Sequence, residues 1–165
     1  AKIFFILLIC SFRVFGQNSK IVKPYFTFDL PENYYKVNST DQYNLLTAQK
    51  ELNNEIVGMI EIKFSDDWSF ALFSNEEYIS EMVKSDKIIT AASTILNNIK
   101  VISKEKKYLK CVGECFSIVY AGDLYNNNLR VVYFLVQFVK NKQLFTIIGS
   151  SFPYNFSSEY KRFLK

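Results

Sequence analysis

From Ile99 to Phe152 hydrophobic residues recur at alternate positions through four segments, "IKVISKEKKYLK", "ECFSIVYAGDL", "LRVVYFLVQFVKN" and "QLFTIIGSSF". A period of two places one set of side chains on each face of a strand. The polar stretches "YNNN" and "KNKQ" separate the last three segments as turns. The pattern predicts a meander, and Val131 to Val139 is nearly continuous in apolar residues, as a central strand covered on both faces would be. Upstream the period changes. Tyr78, Met82, Ile89, Ala92, Leu96 and Ile99 recur at spacings near 3.6, which predicts one amphipathic helix over residues 75–97 laid on the sheet. Ser74 and Glu77 form a capping-box pattern at its start.

The N-terminal part is less regular. "YFTFDL" alternates before Pro31 and predicts a strand; "PENYYKV" reads as an irregular connection. Residues 42–51 are ambiguous between helix and strand and are assigned to a strand. The β-rich "EIVGMIEIKFSDD" pairs with them through a turn at Asn53-Asn54. The tail "FSSEYKRFLK" opens with Ser and Glu in capping positions and predicts a terminal helix that packs Tyr160, Phe163 and Leu164 on the sheet. The expected fold class is α+β: an antiparallel sheet of about six strands with a long amphipathic helix and a C-terminal helix packed on its faces.

The opening "AKIFFILLICSFRVFG" changes the reading of location. Lys2, the apolar run Ile3 to Phe12 and the small Gly16 follow the three-part pattern of a secretory signal peptide, with a core too short to span a bilayer as a helix. Val14 and Gly16 suit the positions flanking a cleavage site, so the expected division is a leader over 1–16, a flexible mature N-terminus over 17–23 and a single domain over 24–165. Cys10 as a lipid-bearing cysteine lacks a small residue before it, and Arg13 interrupts the run that an uncleaved anchor needs. No stable membrane span is expected once the leader is removed.

At 165 residues, with 49% hydrophobic and 17% aromatic residues and only 5 Gly and 3 Pro, the chain is expected to be a compact globule, not a disordered chain or a repeat array. The formal charge is +4, and it falls to +2 when Lys2 and Arg13 leave with the leader. That balance gives no nucleic-acid footprint. The run Lys104, Glu105, Lys106, Lys107 reads as a solvated strand edge.

The sequence contains no histidine, which removes Ser-His-Asp and Cys-His catalysis and the commonest metal ligand together. The stretch "KCVGEC" holds Cys111 and Cys115. Two thiolates do not make a zinc site, and a redox pair wants two intervening residues before a helix where this chain has three before a strand. A disulfide staple or two packed thiols remain. In a continuous strand residues four apart lie about 13 Å apart, whereas a bridge needs Cα atoms roughly 4.4–6.8 Å apart, so a staple requires a bend at Val112-Gly113. Asp66-Asp67-Trp68 reads as a solvated turn, and Asp29, Glu61 and Asp123 are the acids available for a glycosidase-like pair. The aromatics Tyr25, Phe26, Tyr34, Tyr35, Tyr133, Phe134 and Phe138 are core or sheet surface, and an exposed patch containing Tyr34, Tyr35 and Trp68 would mark a partner site. Asn38-Ser39-Thr40 and Asn155-Phe156-Ser157 are glycosylation sequons, meaningful only in a eukaryotic secretory route.

The order of these segments, carried by "YFTFDLPENY", "SNEEYISEMV", "KCVGECFSIVY" and "LFTIIGSSFPYNFSSEYKRFL", resembles the PsbP-like superfamily, which includes the fold of the Ran-binding import factor and small bacterial envelope proteins. The resemblance implies an antiparallel sheet with helices on its faces. It implies no catalytic residue, cofactor or metal. The expected function is that of a secreted or periplasmic, non-enzymatic domain binding an envelope protein or a small ligand through its sheet face or loops. A carboxylate-only glycan hydrolase and a purely structural envelope component are the alternatives.

Overall fold

The computed structural model describes residues 9–10, 20–23, 26–31, 33–65, 67–110 and 112–153. Ten strands, in chain order, are β1 (Ile9–Cys10), β2 (Lys20–Lys23), β3 (Phe26–Asp29), β4 (Tyr34–Val37), β5 (Asn44–Leu52), β6 (Glu55–Ser65), β7 (Leu96–Leu109), β8 (Gly113–Leu124), β9 (Arg130–Lys140) and β10 (Gln143–Ser151). A 3-10 turn (Trp68–Leu72) and the helices α1 (Asn75–Lys84) and α2 (Lys87–Ala92) lie between β6 and β7. β1, β3 and β2 form a small sheet in that order. The other seven strands form one antiparallel sheet, ordered β4-β5-β6-β10-β9-β8-β7.

Turn chemistry sets the hairpins. Asn53 and Asn54 have φ of 54° and 64°, and Asn141 and Lys142 have 52° and 65°. Two successive left-handed residues make the tight turn whose twist matches that of paired strands, and asparagine tolerates that conformation. These turns join β5 to β6 and β9 to β10. β10 then closes the sheet by pairing with β6 from Leu144↔Ser65 to Ser151↔Gly58. The final described strand therefore welds the N-terminal hairpin to the meander.

The two faces differ in composition. One carries Phe116, Ile118 and Tyr120 of β8 and Leu135 of β9, which are buried with Tyr78, Ile79 and Met82 of α1 and Ala92 of α2. The other buries Cys115, Val119, Ala121, Val132, Phe134, Val136 and Phe138, and continues through Ile60, Ile62, Leu46 and Ala48 to Tyr34 and Leu30. Close packing on this second face depends on two glycines: a Cβ at Gly149 would overlap the Phe134 ring, and one at Gly58 would overlap the Tyr34 hydroxyl.

The expected four-strand meander is present as β7 to β10. The expected sheet of about six strands with one long helix is not: the main sheet has seven strands and the helical segment is short and broken. Tyr34–Val37, expected to be irregular, is strand β4; with four residues between Pro31 and the Asn38-Ser39-Thr40 loop it is too short to show a period. The helix expected over residues 75–97 stops at Lys84, where Ser85 is extended at φ −89° and ψ 153°. Lys104 reinforces the break, because its Nζ donates to the Ser85 carbonyl and sits 3.3 Å from Asp86 Oδ1. α2 ends at Ala92 because Ser93 and Thr94 turn their hydroxyls back onto the Thr90 and Ala91 carbonyls, a local bonding that competes with helix. Leu96 already belongs to β7. The apolar spacing from Ile89 to Ile99 that suggested one helix thus spans a helix, a turn and a strand. The C-terminal helix expected in 156–165 lies outside the described residues, as does all of the proposed leader except Ile9–Cys10.

Candidate binding surface

Cross-strand register arranges the helix-bearing face in rows, since directly opposed residues share a face. One row runs Phe116, Gln137, Thr146, Lys63, Asn44 from β8 to β5. The next runs Ile118, Leu135, Ile148, Glu61, Thr47 and, on β4, Val37. The third runs Tyr120, Tyr133, Ser150, Met59, Gln49, Tyr35. Each row begins in the core and becomes more polar toward β5. α1 packs on β7, β8 and β9, while the 3-10 turn reaches β10. Beyond them the rows form a shelf on which Ile148, Ser150, Glu61, Lys63, Met59 and Gln49 are all half-buried.

Hydrogen bonds tie the shelf to the core. Buried Tyr78 donates its hydroxyl to Gln137 Oε1 at 2.8 Å, and Gln137 Nε2 donates to Thr146 Oγ1 at 3.1 Å. Lys63 lies opposite Thr146, and its Nζ is 3.3 Å from Glu61 Oε2, with side chains 36% and 21% exposed. Tyr133 stacks on Tyr120 with ring centroids 5.4 Å apart and planes 13° from parallel. Burial, then the Glu61 charge, raises the Tyr133 phenol, and burial pushes Tyr120 up to about 12. Both stay protonated donors at neutral pH. The shelf therefore offers a carboxylate, an ammonium, amide and hydroxyl groups and the half-buried Tyr133 ring on a rigid floor. Among the described residues no group of three or more His, Cys, Asp or Glu is placed to hold a metal ion.

This architecture matches solved structures. Cyanobacterial PsbP (CyanoP) from Synechocystis sp. PCC 6803 is similar with a TM-score of 0.50 at 10% identity, covering 82% of this chain and 79% of that one. The fold is PsbP-like. A Pseudomonas aeruginosa protein of unknown function, PA94, also has a TM-score of 0.50, at 9% identity, covering 90% of this chain and 92% of that one. No protein-family model matches the sequence, and no curated protein does. At these identities the likeness is one of fold.

Within the PsbP-like frame the sequence-predicted residues scatter. Tyr34 and Tyr35 do not form one patch, because neighbours in a strand point to opposite faces. Tyr34 is 6% exposed in the second-face core, whereas Tyr35 is 43% exposed at the end of the shelf's third row and donates its hydroxyl to the Glu51 carboxylate. Trp68 opens the 3-10 turn, and its side chain lies outside the described residues. Asp67 caps that turn by accepting from Ser69 N at 2.9 Å, a bond that holds its carboxyl below the ordinary carboxylate range; Asp66 lies outside the described residues.

Within "KCVGEC", between β7 and β8, Val112 N donates to Leu109 O at 3.1 Å, and Gly113, at φ 84°, starts β8 in a conformation that suits glycine. Cys115 is fully buried, with its thiol 3.4 Å from the Lys107 carbonyl; Cys111 lies outside the described residues.

Glu61 and Asp123 are not a catalytic pair. They sit on β6 and β8, three strand spacings or about 14 Å apart across the sheet and, because Glu61 falls in the row of Ile118, a further five residues or about 17 Å apart along it, and on opposite faces. Asp123 is instead held below the ordinary carboxylate range by a 3.0 Å bond from Asn98 and a 2.9 Å bond from Arg130. The Asp29 side chain lies outside the described residues. Asn38, Ser39 and Thr40 are exposed in the β4–β5 loop, and the second sequon lies outside the described residues. The shelf residues Lys63, Gln49 and Thr146 were not singled out by the sequence. Their only signal is that polar positions in β5, β6 and β10 fall in phase, which requires the register.

Proposed function

We propose that the chain is an exported, non-enzymatic binding domain that holds a small polar ligand on the shelf. The observation that carries this reading is the half-buried Glu61–Lys63 pair set in a floor that also presents Tyr133, Gln49 and Thr146. A surface designed only to be solvated has little reason to keep charged and aromatic side chains half-covered on the face of a sheet, while polar groups set beside apolar and aromatic ones, here Ile148, Met59 and Tyr133, are the common makeup of ligand sites. Export is supported by the leader-like sequence of residues 1–16. Its removal takes away only β1 from the small sheet and none of the seven strands that build the shelf. Among the described residues no helix is long and apolar enough to cross a membrane.

Ligand-observed NMR with a panel of sugars, amino acids and nucleotides tests the reading. Hits are expected to disappear in Glu61→Gln or Tyr133→Phe chains and to survive in Leu129→Ser, which changes an exposed residue at the β8–β9 turn. A panel without hits, or hits indifferent to both shelf variants, sinks the proposal.

A further inference from the structure

We infer that the outer edge of β7 is a strand-addition site for an acidic, extended segment of a partner protein. The two edges of the main sheet are unequal: β4 has 4 residues and β7 has 14. An edge strand presents a row of backbone donors and acceptors that templates another strand, and folded proteins usually guard edges by shortness, irregularity or lysine charge; lysine charge repels a like-charged strand and leaves the edge open to an acidic one. Irregularity in β7 is confined to its first part, with register shifts between Asn97 and Lys100 and between Val101 and Ser103. From Ser103 to Leu109 it pairs residue for residue with Val119 to Gly113, so seven consecutive residues form a regular template.

Charge selects the occupant. Lys100, Lys104, Lys106, Lys107 and the following Lys110 face a single acid of the same stretch, Glu105. Acids that meet them include Asp86, 3.3 Å from Lys104, Glu114, 2.8 Å from Lys106, and Glu105, 3.8 Å from Lys107, and the charge of Glu76 on α1 also acts on Lys106. The Lys106–Glu114 contact, with side chains 45% and 49% exposed, is at the surface, where ion pairs are weak and readily exchanged, whereas Lys104, 17% exposed, stays with the helix break at Ser85. A segment with alternating acids would place carboxylates on one face of the sheet, beside Lys106 on the helix-bearing face or beside Lys107 on the other, and Tyr108, 73% exposed at the end of the template, offers it an aromatic contact. The same lysines oppose a second copy of this chain, which would bring like charges together. Main-chain pairing supplies the affinity in such strand addition, and side chains at alternate positions supply selectivity.

The test uses the full chain, isotope-labelled, titrated with two blocked nine-residue peptides, one alternating glutamate with valine and one alternating lysine with valine. The glutamate peptide is expected to shift and protect amides of residues 103–109, to lose affinity as salt is raised, and to bind roughly fivefold more weakly to a Lys106→Gln/Lys107→Gln chain. The salt series on the unmodified chain decides the matter if the double variant folds poorly. Equal binding of both peptides, no perturbation of β7 at millimolar glutamate peptide, or a salt-stable dimer that protects β7 by itself would each overturn the inference. Shifts confined to the shelf would overturn it while leaving the shelf proposal standing.

Discussion

The two halves of the helix-bearing face use one register for opposite ends. On β8 and β9, under α1, the rows present Phe116, Ile118, Tyr120 and Leu135, all buried. On β6 and β5 the same rows present Lys63, Glu61, Met59, Gln49 and Thr47. The backbone of the sheet is continuous across the boundary, so the difference lies in side chains and in which strands α1 lies on, β7 to β9. Because α1 has only ten residues, it covers about 15 Å of sheet along its axis. It starts over β8 and β9, where Asn75 bonds the Glu114 carbonyl and the Val139 N–H, and ends toward β7, where Lys104 meets Ser85, so it runs away from the β6–β5 side. The second face stays apolar further across the sheet, through Ile60, Ile62, Leu46 and Ala48 to Tyr34, and turns polar only at Lys36 and Lys50 on β4 and β5.

The sharpest way to break this comparison is to truncate one residue from each half. Phe116 is fully buried among α1 and β9, and Phe116→Ala is expected to cost about 3–5 kcal/mol through lost burial and the cavity left behind. Glu61→Gln removes one member of a partly exposed pair and is expected to change stability by less than about 1 kcal/mol. Urea unfolding of the two variants beside the unmodified chain measures both. Similar losses would mean that the shelf is structural and that the division into a load-carrying half and a free half is wrong.

Sequence alternation made the meander legible because β7 to β10 are long and joined by short polar turns. It made the start of α1 legible because Ser74 and Glu77 sit at the spacing of a capping box, and the structure shows both of its bonds. Three things were hidden. The helix break depends on Lys104, which reaches Ser85 and Asp86 from a strand that begins ten residues later in the chain. β4 is too short to display a period. The shelf depends on β10 lying between β9 and β6, a pairing from Leu144↔Ser65 to Ser151↔Gly58, far apart in the chain, that no local pattern announces. Composition announced aromatics as a possible partner surface, yet adjacent Tyr34 and Tyr35 went to opposite faces once β4 was a strand.

The boundary between the halves can be sharpened at Tyr78. Its hydroxyl donates at 2.8 Å to Gln137, which passes a second bond to Thr146 at the start of the shelf. Tyr78→Phe keeps the ring, its edge contact with Phe70 and its packing, and leaves the Gln137 oxygen buried without that donor. A loss of about 1–2 kcal/mol is expected, together with chemical-shift changes that spread to Thr146 and Lys63. A neutral variant with shifts confined to α1 would show that the shelf is not anchored through this chain of bonds.

The smallest expected effect concerns the helix that separates the halves. Ser74 N donates to Glu77 Oε2 at 2.8 Å, and Glu77 N donates to Ser74 Oγ at 3.2 Å. The backbone bond from Ser74, followed by its hydroxyl, holds the Glu77 carboxyl below its ordinary value of 4.5. A carboxyl lowered on folding adds stability that is present above the unfolded-state value and is lost as pH falls through the folded-state one. Glu77→Ala keeps the backbone N–H that reaches Ser74 and removes only the carboxylate. The difference in melting temperature between the unmodified chain and Glu77→Ala is thus expected to be largest above pH 4.5 and to shrink as the pH falls below it. Asp67 and Asp123 are also lowered on folding, but both chains retain them, so their acid sensitivity cancels in the difference. A gap that stays constant from about pH 7 to about pH 3 would show that the capping carboxylate does not help hold α1 over the core half, and the helix would then owe its position to the packing of Tyr78, Ile79 and Met82, the bonds of Asn75 to Glu114 and Val139 and the Lys104–Ser85 contact.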